Sequence, residues 1–368
     1  MSSATPSPSP YEPAPAVYPV APPRGRGCLV ALAVLLGVGL AFSLLVNLVL
    51  VGGRASAVAQ SGHHRTPLRE KWVSGEGEPR ICLIELSGVI MEEQKSEGLI
   101  STSSRLVDRI QRELDEVEKD EKVKAVLFSV DSPGGSVSAS DQIWHALKKF
   151  KERSKKPLVV WMGGLAASGG YYVSMPADLI VCSPTTITGS IGVIMQTFNF
   201  ADASQRFGVQ NVTIKSGANK DLLNPFLPIR EEHVRIIQSM IDDAYDLFVS
   251  RVVEGRSAAG LTEMVVRQLA DGRIYTASQA LKEKLVDRIG YRDDALEEAK
   301  KLAKVEGPVT LFHYTGPPGL IEVLVGEPEA SAAGAALGRA AHGPDLSIEG
   351  ILSLGTPRLM FLWSPTAR

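Results

Sequence analysis

The sequence predicts an α/β fold, on three observations. Short apolar runs rich in β-branched residues alternate with stretches of helical periodicity, the order expected of βαβ crossovers. One of those runs, Lys124 to Val130 (KAVLFSV), is apolar almost throughout, as in a strand covered on both faces. The turns that join strand to helix are rich in glycine and serine.

The elements follow in order along the chain. Residues 1–27 are dominated by Pro and Ser, carry almost no charge and show no apolar period, the composition of a segment that stays disordered. From Cys28 to Val51 the chain reads CLVALAVLLGVGLAFSLLVNLVLV, 24 residues without a charge. At about 1.5 Å per residue such a run crosses a hydrocarbon core of roughly 30 Å, so an N-terminal transmembrane helix is expected at 28–51. A cleaved signal peptide is the competing reading, because Ala57 and Ala59 precede Gln60. The run exceeds the roughly 7–15 apolar residues of a secretory core, which favours an uncleaved anchor. Arg24 and Arg26 on one side and Arg54 and Arg65 on the other leave its orientation open.

After a linker at 52–79, a catalytic-sized domain is expected over 80–305. Ile81–Ile90 is a β-rich run. Arg105–Asp120 places Leu106, Val107, Ile110, Leu114 and Val117 on one helical face, with Ser103 or Ser104 as a cap. Helix Ser140–Lys151, strand Leu158–Met162, helix Ser168–Ser174 and strand Leu179–Cys182 continue the alternation. A long amphipathic helix is expected at Arg230–Val253, with shorter ones at Ala277–Lys284 and Asp293–Lys304. Residues 306–368, rich in Gly, Ala and Pro, read as a flexible tail with one apolar patch at Leu359–Trp363.

Composition bounds the function. With 39 basic and 41 acidic side chains among 368 residues, the chain has no global attraction for nucleic acid. Its three cysteines, Cys28, Cys82 and Cys182, show no metal-ligand spacing and cannot build a disulfide framework.

The chemistry sits in the turns. Asp131-Ser132-Pro133-Gly134-Gly135 follows a strand and opens a helix, where free backbone amides suit a developing oxyanion; a plain turn is the alternative. One crossover later, Gly163 to Tyr172 surrounds Ser168 with small residues at a helix start. That arrangement suits either an exposed nucleophilic hydroxyl or a close helix-to-sheet packing surface. No G-x-S-x-G elbow is present, and His145 and His233 fall within amphipathic helices, so a histidine base has no evident candidate. A lysine could serve if neutral. An ordinary lysine with a pKa of about 10.4 costs roughly 4–5 kcal/mol to deprotonate at pH 7, so burial must assist.

Four motifs in order, DSPGG (Asp131–Gly135), AASGGYY (Ala166–Tyr172), TGSIGVI (Thr188–Ile194) and KSGANKDLLNP (Lys215–Pro225), resemble the bacterial signal peptide peptidases of the SppA type. DGRIYTASQALKEKLVD (Asp271–Asp287), the N-terminal anchor and a closing PRLMFLW resemble that family too. The resemblance implies a ClpP/crotonase-like fold of repeated ββα and βαβ units and a Ser/Lys serine protease that degrades peptides left in membranes, without metal or cofactor. It implies Ser168 as nucleophile and Lys220, 52 residues downstream, as general base, with Lys215 a nearby competitor. Gly135 and Gly169 match the oxyanion-hole positions and Ser190 the hydroxyl that orients the lysine. It further implies a bacterial membrane location with the catalytic domain outside the cytoplasm. Partners would be signal-peptide substrates, membrane lipid and further copies of the chain, in a ring- or dome-shaped homo-oligomer that leaves open whether Ser168 and Lys220 come from one subunit or from neighbouring ones. A crotonase-like acyl-CoA enzyme and a catalytically silent membrane scaffold are the competing readings.

Overall fold

The computed structural model describes residues 32, 34–44, 46–47, 68–92, 106–316 and 360–362. The expected tail at 1–27, most of the linker at 52–79 and the candidate caps Ser103 and Ser104 lie outside them. Of the apolar run at 28–51, the described residues are helical with exposed side chains, and the rest lie outside. Among the described residues no helix is long and apolar enough to cross a membrane.

The folded unit contains β1 (Arg69–Ser74), β2 (Arg80–Ser87), α1 (Leu106–Lys119), β3 (Val123–Ser132), β4 (Gly134–Ser136) and α2 (Val137–Ser154). Then come β5 (Leu158–Ala167), α3 (Gly169–Tyr172), β6 (Leu179–Cys182), β7 (Ile187–Gly189), α4 (Ala201–Arg206) and α5 (Glu231–Gly255). The last are α6 (Glu263–Leu269), β8 (Ile274–Thr276), α7 (Ala277–Lys282), β9 (Arg288–Ile289), α8 (Arg292–Leu302), β10 (Thr310–Thr315) and β11 (Met360–Leu362).

Nine strands form one sheet along the path β1-β10-β2-β3-β5-β6-β9, with β7 paired to β5 and β8 to β7. The pairings from β10 through β2, β3, β5 and β6 to β9 are parallel, and β1 and β8 add antiparallel edges. Strand alternation divides the core between two faces. On β2, Ile81 and Leu83 join Leu127, Val159, Val181 and α8 residues Ala295 and Ala299. Cys82, Ile84 and Leu86 face the other way, against α1, α2 and α5. Helices therefore cover both faces of β3, which explains its unbroken apolar run.

The helix boundaries have local causes. α1 buries the face expected of it. α2 begins three residues before the expected Ser140, because the Ser136 hydroxyl accepts from the Ala139 amide and caps the helix there. α3 is shorter than the expected Ser168–Ser174, since Ser168 stands outside it as the capping residue at φ 53.

Two expected bounds need correction. The linker at 52–79 contributes β1, and the tail at 306–368 contributes β10, which pairs β1 on one side and β2 on the other. Their alternation is short and sits beside Gly and Pro, so composition hid it. Within the apolar patch, Met360–Leu362 is likewise a strand, β11, antiparallel to β4. Cys82 and Cys182 lie on β2 and β6, three strand spacings apart, or about 14 Å. They cannot form a disulfide, and both are free and buried.

Candidate active site

Ser168 stands at the end of β5 with φ 53 and ψ −115, a conformation uncommon for any residue with a side chain. The strand-to-helix turn is held from both sides. The Ser168 amide donates to the Gly189 carbonyl at 2.7 Å, and the Ser168 carbonyl accepts from the Tyr172 amide at 2.9 Å. Beneath it, the Thr188 hydroxyl donates to the Ala166 carbonyl at 2.6 Å. The serine is 1% exposed, so it is shielded from bulk solvent.

The DSPGG turn approaches this serine from the neighbouring strand. The Ser132 hydroxyl donates to the Gly88 carbonyl at 2.6 Å and accepts from the Gly134 amide at 3.1 Å. Gly134 adopts φ 96, which a side chain would strain, and a β-carbon there would stand 2.5 Å from the Gly169 nitrogen. A β-carbon on Gly169 would stand 3.1 Å from the Gly135 nitrogen. Gly135 and Gly169 are therefore brought together, with the Gly169 amide at a helix start where no intrahelical carbonyl serves it. Two glycine backbones meeting beside a buried hydroxyl suit an acyl-transfer site.

An extended segment already lies beside these turns. β11 runs antiparallel to β4, with Phe361 opposite Gly135, and Met360 exchanges two backbone hydrogen bonds with Ile194 at 3.0 and 3.1 Å. The Phe361 carbonyl oxygen would be 2.0 Å from a β-carbon on Gly134, so only glycine admits the strand. Phe361 is fully buried, stacked on Tyr172 with centroids 5.0 Å apart and 4.7 Å from Phe248. Tyr172 is in turn fixed by donating to Asp141 at 2.6 Å, and burial pushes its phenol above the usual range.

Ser190 is also at the site. It follows the glycine that bonds Ser168, adopts φ 50 and donates its amide to the Arg273 carbonyl at 2.8 Å. Lys220 is not. It is exposed, and among the described residues its ammonium has no partner. The competitor Lys215 is occupied, paired with Asp221 at 2.6 Å and donating to the Ala218 carbonyl at 3.0 Å. That hydrogen bond from Lys215 also holds the Asp221 carboxyl below its usual range. His145 is exposed, and His233 is buried against Arg230, neither beside Ser168.

Sequence reasoning missed two features of the site. β11 is a three-residue strand whose partner lies more than 220 residues away, a pairing no local pattern announces. Ser140, buried beside Gly169, was legible only as an ordinary helical serine.

The sequence profile of Peptidase family S49 matches residues 150–306, and that of Clp protease matches residues 97–182. An Enterococcus faecium protein provisionally named signal peptide peptidase SppA is 37% identical over 240 residues, covering 65% of this chain and 68% of that protein. A provisionally named protease of Methanocaldococcus jannaschii is 42% identical over 195 residues, covering 53% of this chain and 61% of its own length. A provisionally named protease of a Synechocystis strain is 40% identical over 209 residues, covering 56% and 74%.

Proposed function

This chain belongs to peptidase family S49 and is a serine peptidase, and from that premise we propose that it cleaves signal peptides and other membrane-associated peptides with a Ser168/Lys220 dyad. The observation that carries the reading is the meeting of a buried Ser168 with the Gly135 and Gly169 backbones beside β4, which already pairs with the extended segment Met360–Leu362.

The chemistry follows from that placement. A peptide adds as a strand along β4, as β11 does, through backbone hydrogen bonds that tolerate many sequences. Burying a side chain such as Phe361 stabilises by roughly 1.5–3 kcal/mol, while ordering each residue costs about 1–2 kcal/mol. A peptide substrate would therefore take the place of β11 along β4. Ser168 Oγ attacks the scissile carbonyl as Lys220 takes its proton, and the oxyanion forms against the Gly135 and Gly169 amides. The C–N bond breaks as the lysine returns the proton to the leaving amine. Water then attacks the acyl-enzyme by the same relay, and the acid leaves. Ser190 orients the lysine and favours its neutral form by hydrogen bonding.

The base is supplied by a neighbouring copy of the chain. Ser168 is buried and Lys220 exposed, and the segment that carries Lys220 also displays Phe207 at 84%, Val212 at 81% and Ile214 at 97% exposure. An exposed apolar segment of this kind suits docking between subunits, and docking would desolvate the lysine as the chemistry requires. The uncharged run at 28–51 anchors the chain in a bacterial membrane, with the peptidase domain outside the cytoplasm.

The purified full chain is expected to cleave a fluorogenic peptide, and Ser168→Ala to lose that activity at least 1,000-fold. Equal cleavage by both proteins would refute the assignment. For the anchor, deleting residues 28–51 is expected to move the chain from the membrane fraction to the soluble one; an unchanged distribution would refute it.

A further inference from the structure

Ser140 lies in the first turns of α2 and is 0% exposed, yet its hydroxyl has no hydrogen-bond partner among the described residues. A serine inside a helix commonly bonds back to the carbonyl four residues earlier, and Ser140 does not. A buried hydroxyl without a partner destabilises the fold, so its position calls for a compensating use. That position is against Gly169: a β-carbon on Gly169 would stand 2.6 Å from Ser140 Oγ, 3.0 Å from the Gly134 α-carbon and 3.1 Å from the Gly135 nitrogen. The hydroxyl thus forms part of the wall that holds the two oxyanion-hole backbones together. Its helix is fixed immediately upstream, where Ser136 caps it, and Ser136 itself belongs to β4.

We propose that Ser140 is a positioning residue of the oxyanion hole. Held rigidly on α2, it keeps its O–H against the Gly169 turn whose amide donates to the oxyanion. Its unspent O–H dipole turns toward negative charge only as that charge develops. Such an interaction is stronger in the transition state than in the resting enzyme, which is what accelerates a chemical step. The inference rests on Ser168 being the nucleophile.

The test uses the full-length protein and compares the parent with Ser140→Ala, Ser140→Cys and Ser168→Ala. Readouts are kcat and KM on a fluorogenic peptide, affinity for a peptide aldehyde that adds reversibly to the nucleophile, and the thermal midpoint. Ser140→Ala is expected to lower kcat roughly 10- to 100-fold with KM within about twofold, and to weaken aldehyde binding by the same factor as kcat. Its thermal midpoint should be unchanged or higher, because an unpartnered buried polar group has been removed. Ser140→Cys, which fills the site with a slightly larger group that donates weakly, should fall between. Parental kcat in Ser140→Ala overturns the proposal. So does full recovery by cysteine, or a loss of kcat that tracks a fall in thermal midpoint, since either assigns the effect to packing. Activity that survives Ser168→Ala overturns the nucleophile and this inference with it, whereas activity lost there but intact in Ser140→Ala overturns this inference alone.

Discussion

Gly169 and Gly134 meet so closely that a β-carbon on Gly169 would stand 3.0 Å from the Gly134 α-carbon. The contact joins the turn after β5 to the turn after β3 and sets the spacing between the oxyanion-hole amides. Gly169→Ala must push the two turns apart or rotate the 168–169 peptide. Overpacking of this kind costs about 1–3 kcal/mol of stability, and misplacing one oxyanion donor costs roughly 100- to 1,000-fold in kcat. Denaturant unfolding and steady-state kinetics check both, and a variant with parental kcat would remove Gly169 from the hole.

Arg256 and Asp287 tie the end of α5 to the sheet. The guanidinium, with only 5% of its side chain exposed, donates twice to Asp287 at 2.6 and 2.9 Å and once to the Lys284 carbonyl at 2.9 Å. Asp287 also accepts from the Ile180 amide at 2.8 Å, at the start of β6. Asp287→Ala leaves a buried positive charge and an amide unpaired, and is expected to destabilise by about 3 kcal/mol. The double variant Arg256→Leu, Asp287→Ala should lose less than the two single changes added together, as measured by a double-mutant cycle in denaturant.

The alkaline limb of stability carries a signature of Cys182. Burial pushes its thiol up to about 11. The unfolded chain releases that proton near pH 8.5, so between about pH 8.5 and 11 the folded state binds more protons than the unfolded one. Stability contributed by the protonated thiol is therefore complete below pH 8.5 and is lost progressively as pH rises toward 11. Cys182→Ala should flatten this part of the stability profile, and in the parent neither Cys182 nor Cys82 should react with iodoacetamide at pH 8. An unchanged slope in Cys182→Ala would contradict the assignment.

How far the sequence speaks can be seen residue by residue. The apolar run of β3 and the face of α1 were legible because burial on a regular element leaves a period of its own. Ser168, Gly135 and Gly169 were singled out by four motifs in order that resemble a known family; taken alone, the same turns read equally as close packing between helix and sheet. Lys220 was named by the same resemblance, and a motif records which side chains a reaction needs, not whether one chain supplies them all. β1 and β10 were hidden by their Gly and Pro neighbours, and β11 by having its partner strand far away in sequence.

The most direct test mixes two inactive proteins. Ser168→Ala and Lys220→Ala, each purified as the full chain, should separately cleave a fluorogenic peptide at background rate. If a neighbouring copy supplies the lysine, mixing them under conditions of subunit exchange restores activity, because sites form that pair an intact Ser168 with an intact Lys220. Return of a substantial fraction of the parental rate is the predicted result. Background activity in the mixture, with exchange confirmed by fluorescence transfer between labelled subunits, would contradict a dyad completed between chains.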